Sequence, residues 1–132
     1  MDKEILVEDN IFYKISSILI EKYPDIEMIF FLPNHIDEDL YDYYDYTLFV
    51  SAKSLDRKYD FDVYLEIFNL FEKRLTDKEN EFISRITKFE TTSPLRQQIK
   101  RFIGVEYPSM VSLKNTYLNN VKLPDGVLTL SI

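Results

Sequence analysis

The sequence predicts a single α+β domain, residues 1–132, in which a mixed or antiparallel sheet packs against about four helices. The chain has 132 residues, the size of one ordinary domain. It is 45% hydrophobic and contains ten phenylalanines and ten tyrosines, so a core can form without a disulfide or a metal. Helical and strand-like patterns both occur, with an early hairpin at about 26–52 and a late hairpin at about 118–132.

The first third of the chain predicts a helix followed by two strands. Asp9 or Asn10 can cap the helix, whose apolar residues recur at helical spacing until Pro24 ends it. The segment 26–32 is short, β-branched and aromatic, which is typical of a largely buried strand. A second strand is expected from about 43 to 52, with its apolar end inside the protein and its tyrosine-rich start partly exposed.

The middle of the chain predicts two helices. The longest helical pattern runs from about 61 to 75 and carries two apolar stripes, so we expect this helix to be covered on two sides. Thr76 and Glu79 have the spacing of a capping box, which predicts the start of a further helix. Apolar residues continue at helical spacing from Phe82 to Phe89, and we expect that helix to include them.

The last third predicts a short helix and a hairpin. Ser93 can cap a helix that begins at Pro94 and is stopped by Gly104. The turn at 124–126 contains proline, aspartate and glycine, and it separates two apolar segments. We therefore expect residues 118–123 to pair with residues 127–132.

Charge is divided unevenly along the chain. Residues 1–66 contain 16 acidic and six basic residues, whereas residues 67–132 contain seven acidic and ten basic residues. The acidic half is unsuited to nucleic acid, and the net charge of −7 disfavours anionic membranes, so we expect neither as a direct partner. The densest basic cluster is interpreted as favourable charge at a helix C-terminus rather than a phosphate site: Arg96, Lys100 and Arg101.

Three further features predict a soluble cytoplasmic protein. The N-terminal residues lack the pattern of a secretory signal. No apolar run approaches the roughly 20 residues that span a bilayer. The chain has no cysteine, which is compatible with a reducing compartment.

The sequence contains no recognisable catalytic or cofactor-binding motif, and we expect no enzyme activity and no cofactor. Gly104 and Gly126 are the two glycines, and each is assigned to a helix end or a turn, so no glycine-rich phosphate loop can be built. His35 is the single histidine, which rules out a zinc site with two histidines. We interpret it as a loop residue near acidic neighbours rather than a catalytic base.

Two groups of carboxylates resemble metal ligands only in charge, and we expect no dedicated metal site. The group at 37–45 lacks the central glycine that an EF-hand loop requires. Asp60, Asp62 and Glu66 fit a carboxylate-based metal-dependent hydrolase, which stays open as an alternative. Helix capping and a solvated helix surface explain the same three residues more simply.

The segment 37–46 (DEDLYDYYDY) holds five acidic residues and four tyrosines in ten positions. Carboxylates attract basic partners over long range, and tyrosines supply rigid contact area with a hydrogen-bonding tip. In an extended segment Tyr41 and Tyr43 share a face with Asp45, and we expect this pair to be exposed. The other interpretation is a solvated acidic loop beside a strand whose tyrosines pack inward. The predicted partner-binding residues are Asp37, Glu38, Asp39, Tyr41, Asp42, Tyr43 and Asp45.

These observations favour an acidic protein-binding module. The leading hypothesis is an inhibitor of the immunity or antitoxin type that neutralises a basic toxin such as a nuclease, because a phosphate-binding active site is positively charged. The hypothesis is an analogy of class and rests on no shared motif. The alternatives are a structural or adaptor subunit of a homo-oligomer or hetero-oligomer, and the metal-dependent hydrolase.

Overall fold

The computed structural model describes residues 7–34, 45–118 and 120–132, with side chains from Ile11 onward. Within these ranges the chain forms five helices, a five-stranded mixed sheet and a small two-stranded sheet. The predicted α+β class is confirmed. The elements in chain order are α1 (Val7–Lys22), β1 (Ile26–Pro33), β2 (Tyr46–Ala52), α2 (Lys53–Asp56), α3 (Asp60–Arg74), α4 (Asp77–Asn80), β3 (Ile83–Lys88), α5 (Pro94–Phe102), β4 (Val111–Leu113), β5 (Tyr117–Leu118), β6 (Val121–Lys122) and β7 (Gly126–Ser131).

The main sheet has the strand order β3-β2-β1-β7-β4. The central strand β1 is antiparallel to both neighbours, β2 and β7, which confirms the early hairpin. Strand β3 is parallel to β2, and a parallel pair needs a long crossover connection. Helices α2, α3 and α4 form that connection, which places α3 against the β3 end of the sheet.

Two apolar clusters cover the two faces of the sheet. Ile29 and Phe31 of β1 pack into the larger cluster, which contains the buried residues of α1 and α3. Met28 and Phe30 pack into the smaller cluster with Ile99 of α5. No described helix is long and apolar enough to cross a membrane.

Helix α1 begins earlier than the sequence predicts. It starts at Val7, so Asp9 and Asn10 lie within the helix and the predicted cap at those residues is wrong. Its end at Lys22, just before Pro24, agrees with the prediction. The buried side of the helix has the expected spacing: Ile11, Phe12, Ile15, Ile18 and Leu19.

The helix predicted after Thr76 stops after a single turn. The capping box of Thr76 and Glu79 is present, but α4 ends at Asn80. Residues 83–88 form β3 instead, parallel to β2. Pairing with β2 satisfies the main chain of this β-branched segment, and that tertiary contact outweighs its weak helical spacing.

The predicted late hairpin is wrong in its pairing. Strand β7 pairs with β1 and β4, whereas β5 and β6 pair with each other in the separate small sheet. Asn120 lies in the left-handed region, with φ of 66°, and lets the chain turn between β5 and β6. Strand β7, with its buried apolar residues, pairs with β1 instead.

Arg96 differs most from its predicted role. The helix caps at Ser93 as predicted and ends at Phe102, so Lys100 and Arg101 lie in its last turn, but Arg96 is fully buried. Its Nη2 donates to the main-chain oxygens of Glu27, at 3.2 Å, and Ile132, at 2.6 Å. Burial lowers the pKa of Arg96 from its ordinary value, while the nearby Glu27 carboxylate opposes that shift.

Gly126 does not act through a turn conformation, because neither glycine has a positive φ. It is the buried first residue of β7, and a Cβ there would lie 2.5 Å from the Phe31 carbonyl oxygen and 2.8 Å from the Phe30 ring. The sequence-based assignment to the turn therefore misses its main constraint, which is close backbone approach.

Gly126→Ala should destabilise the protein by about 2 kcal/mol or more, because the new methyl group overlaps β1. Gly104→Ala is the matched control, since the nearest atom to its Cβ position is 4.0 Å away. Urea unfolding followed by circular dichroism measures both. Equal free energies of unfolding for the two variants would contradict the close approach at Gly126.

Candidate partner-binding surface

Most of the residues predicted to bind a partner lie outside the described residues: Asp37, Glu38, Asp39, Tyr41, Asp42 and Tyr43. His35 lies outside them as well. Asp45 is described, directly before β2. Its main-chain oxygen accepts a hydrogen bond from Asn34 N, and its Oδ1 accepts one from Asn34 Nδ2, each at 3.0 Å. Asp45 therefore closes the base of the β1–β2 hairpin.

The hairpin base also contacts the next strand. Asn34 Nδ2 donates to Ser84 Oγ of β3, and Thr47 Oγ1 donates to Asn34 Oδ1. Asn34 thus joins β1, β2 and β3 through its side-chain amide. In the sequence, most of the acidic segment lies between Asn34 and Asp45, which meet at this junction.

Tyr46, the last tyrosine of the acidic segment, is packed toward the larger cluster. Its ring lies 4.7 Å from that of Phe82 and 5.3 Å from that of Phe12, measured between centroids. Alternation along a strand makes such an inward tyrosine expected every second residue. This residue therefore contributes to the core beside the hairpin base.

Helix α3 leaves a row of apolar side chains in solvent, which we call the α3 stripe: Phe61, Tyr64, Leu65 and Phe68. Phe61 is 65% exposed, Phe68 39% and Leu65 38%. The ring of Tyr64 lies between those of Phe61 and Phe68. Its centroid is 6.3 Å from that of Phe61 and 5.6 Å from that of Phe68. The three rings are close to parallel and form one continuous aromatic surface.

The exposure of this stripe corrects the prediction that α3 is covered on two sides. Only Val63, Ile67 and Phe71 are fully buried, on a narrow strip that faces the sheet. An ordinary surface helix has polar residues where α3 has the stripe. A contiguous exposed apolar patch of this kind commonly marks an interaction site.

Two carboxylates of α3 and one cation of β3, Arg85, border the stripe. Asp62 follows Phe61, and Glu72 lies one turn beyond Phe68. Among the described residues, neither carboxylate forms an ion pair, and Asp60 at the start of the helix does not either. These carboxylates are therefore available to a cationic partner.

Glu66 is occupied within the protein. Its two carboxylate oxygens accept hydrogen bonds from Tyr23 Oη, at 2.5 Å, and Lys58 Nζ, at 2.8 Å. Burial raises the pKa of Glu66, but these hydrogen bonds and the Lys58 charge outweigh burial and lower the pKa below its ordinary value. No group of three or more acidic or histidine side chains in the described part of the chain could hold a metal ion.

Between α3 and β3 lies a small depression of about 110 Å³, which we call the α3–β3 groove. Among the described strands, β3 is the end strand of the main sheet, so this groove is next to its edge. Ser84 lines it and also contacts Asn34, which connects the groove to the hairpin base. Its lining residues are Tyr64, Phe68, Phe71, Glu72, Asn80, Ile83, Ser84 and Ile86.

The chain was compared with known protein families, curated proteins and solved structures, and none of them matches it. The site is therefore interpreted from its own geometry and charge.

If the α3 stripe does not support the fold, its removal should leave the protein stable. Phe61→Ser and Leu65→Ser should each change the free energy of unfolding by no more than about 0.5 kcal/mol. Ile67→Ala, on the buried side of the same helix, should cost about 3 kcal/mol. Chemical denaturation checks all three, and a loss for Phe61→Ser as large as that for Ile67→Ala would mean that the stripe is structural.

Proposed function

We propose that this chain is an acidic protein-binding module, an inhibitor of the immunity or antitoxin type that neutralises a basic toxin such as a nuclease. The observation that carries the proposal is the exposed α3 stripe with two carboxylates beside it, Asp62 and Glu72, which form no ion pair with any described residue. Aromatic side chains are frequent among the residues that dominate binding energy at interfaces. The fold itself does not need them in solvent.

Charge supports a basic rather than an acidic partner. The first half of the chain has a strong excess of acidic residues, and it includes the hairpin base and the first seven of the 15 residues of α3. A negative surface increases the association rate of a cationic protein by about 10-fold to 1,000-fold at low salt. A toxin that binds phosphate has such a cationic site, and a carboxylate surface imitates the charge of its substrate.

The proposed contact surface extends to the acidic segment. Asp37, Glu38, Asp39, Asp42 and Asp45 would steer and pair with the partner, and Tyr41 and Tyr43 would add contact area. Asp45, a described residue of the segment, contacts Asn34, which also contacts Ser84. Because Ser84 lines the α3–β3 groove, Asp45 is linked to the groove through Asn34 and Ser84. The proposed place of action is the cytoplasm.

A structural or adaptor subunit is the second candidate, and the same apolar stripe favours it. Two copies of α3 could pack against each other and bury Phe61 and Phe68. Light scattering separates the candidates, because a subunit should be a stable oligomer at micromolar concentration and Phe61→Ser should dissociate it. A monomer that binds a basic partner fits the inhibitor.

The proposal is tested by co-expressing the chain with a basic toxin-like protein encoded beside it. We expect a complex that inhibits the toxin and weakens as salt rises, because the attraction between the opposite charges is screened. The double variant Phe61→Ser and Phe68→Ser should lose at least about 2 kcal/mol of binding energy, roughly 30-fold in Kd, by calorimetry. Asp62→Asn should mainly slow association at low salt.

Tyr117→Ser is the matched control, since Tyr117 is an equally exposed aromatic residue, at 62%, on the separate β5–β6 sheet. It should bind and inhibit as the parent protein does. Unchanged affinity and inhibition in the double variant, or loss of binding in Tyr117→Ser alone, would refute the α3 stripe as the contact surface.

A further inference from the structure

We infer that the α3–β3 groove binds a single cationic side chain, an arginine or a lysine, which the partner inserts beside the α3 stripe. This inference rests on the proposed function, because it specifies how the basic partner is recognised. The groove has apolar walls and one charged lining residue. The walls match the methylene chain of a long basic side chain, and the charged residue matches its cationic end.

The walls suit the methylene chain of such a residue. On the helix side they are formed by Tyr64, Phe68 and Phe71, and on the strand side by Ile83 and Ile86. Lysine and arginine readily bury their methylene groups against apolar surface while the charged end stays hydrated or paired. Aromatic rings add attraction, because a cation near the face of a ring interacts with its quadrupole.

The polar end of the groove supplies the matching charge. Glu72 is the one charged residue that lines it, among the described residues. Asn80 Nδ2 donates to Glu72 Oε2 at 3.5 Å, the outer limit of a hydrogen bond, so the carboxylate keeps most of its accepting capacity. An incoming guanidinium or ammonium group would therefore find an anion in a groove that also has apolar walls.

Other side chains fit less well. An aspartate or glutamate would be repelled by Glu72. A leucine or methionine would pack against the apolar walls but could not donate a hydrogen bond to Glu72. Arginine should bind better than lysine, because its planar group can bind a carboxylate through two hydrogen bonds and stack on rings such as those of Tyr64 and Phe68.

A second copy of the chain is a poorer occupant than a distinct partner. Arg85 of β3 is exposed and lines a depression that shares Tyr64, Ser84 and Ile86 with the groove. Two β3 edges placed together would bring the Arg85 side chains of both copies close to one another, and like charges across paired strands are destabilising. A basic partner protein avoids this repulsion.

The test uses short blocked peptides as probes, which requires no identified partner. Acetyl-Gly-Arg-Gly-amide is titrated into the uniformly ¹⁵N-labelled protein, and the same peptides with lysine, citrulline or norleucine serve as comparisons. We expect saturable shifts at the amides of Phe68, Glu72 and Asn80 with the arginine peptide, weaker binding of the lysine peptide, and at least about 10-fold weaker binding of citrulline and norleucine peptides.

Two variants complete the experiment. Glu72→Gln keeps the shape of the side chain and should weaken arginine-peptide binding about 10-fold or more. Asp77→Asn, an exposed carboxylate on α4 outside the groove lining, is the control and should leave Kd within about twofold. Equal binding of arginine and citrulline peptides, absence of saturable shifts in the groove, or an unchanged Kd in Glu72→Gln would each overturn the inference.

The outcome is separable from that of the proposed function. If the toxin binds through Phe61 and Phe68 but Glu72→Gln has no effect on toxin or peptide, the groove inference fails and the proposed function survives. If the arginine peptide binds with the expected pattern but the adjacent basic protein does not associate, the proposed function fails and the groove remains a site for cationic side chains. Dimerisation that Arg85→Gln abolishes would assign the groove to a second copy instead and would overturn the partner assignment.

Discussion

Strand β1 buries side chains on both of its faces, and the rest of the fold is arranged to cover them. Met28, Ile29, Phe30 and Phe31 are all buried, with alternate residues in the two apolar clusters. A strand of this kind is stable only in the interior of a sheet with cover on each side. The chain provides β2 and β7 as neighbours, α1 and α3 over one face, and α5 over the other. Gly126 shows how closely the strands approach, because no larger residue fits beside Phe30 and Phe31.

The position of the candidate site follows from this arrangement. Since β3 joins β2 in parallel, the connection between them must cross over the sheet, and α3 is the long element of that connection. The helix needs only one narrow strip, Val63, Ile67 and Phe71, to pack on the sheet. Leu70 packs partly against the larger cluster, and the residues of the α3 stripe are left on the outer side of the helix. There they lie beside the end strand, which also forms one wall of the α3–β3 groove.

Local sequence signals predicted the elements that local chemistry determines. The capping residues Thr76 and Ser93 and the buried segment 26–32 are all found where they were expected. The signals failed where contacts between residues distant in sequence determine the structure. Segment 82–89 has helical spacing but pairs with β2 as a strand, and β7 pairs with β1 rather than with the other half of the predicted late hairpin. Arg96 has no local signal of burial, because its hydrogen-bond partners, Glu27 and Ile132, are remote in sequence. The residues of the α3 stripe were visible as part of one of two apolar stripes, but periodicity alone cannot say whether a stripe meets protein or solvent.

Helix α3 carries the α3 stripe and the buried strip on different sides. Substitutions at Phe61 or Phe68 alter a surface without opening a cavity, whereas Ile67 and Phe71 are fixed by packing density. An exposed aromatic surface carries a risk of self-association, and nearby negative charge reduces that risk by repelling other copies of the same chain. The same charge attracts a protein of opposite sign. Under the proposed function, Asp62 and Glu72 would serve both requirements at once, and the partner would be cationic where it meets the helix.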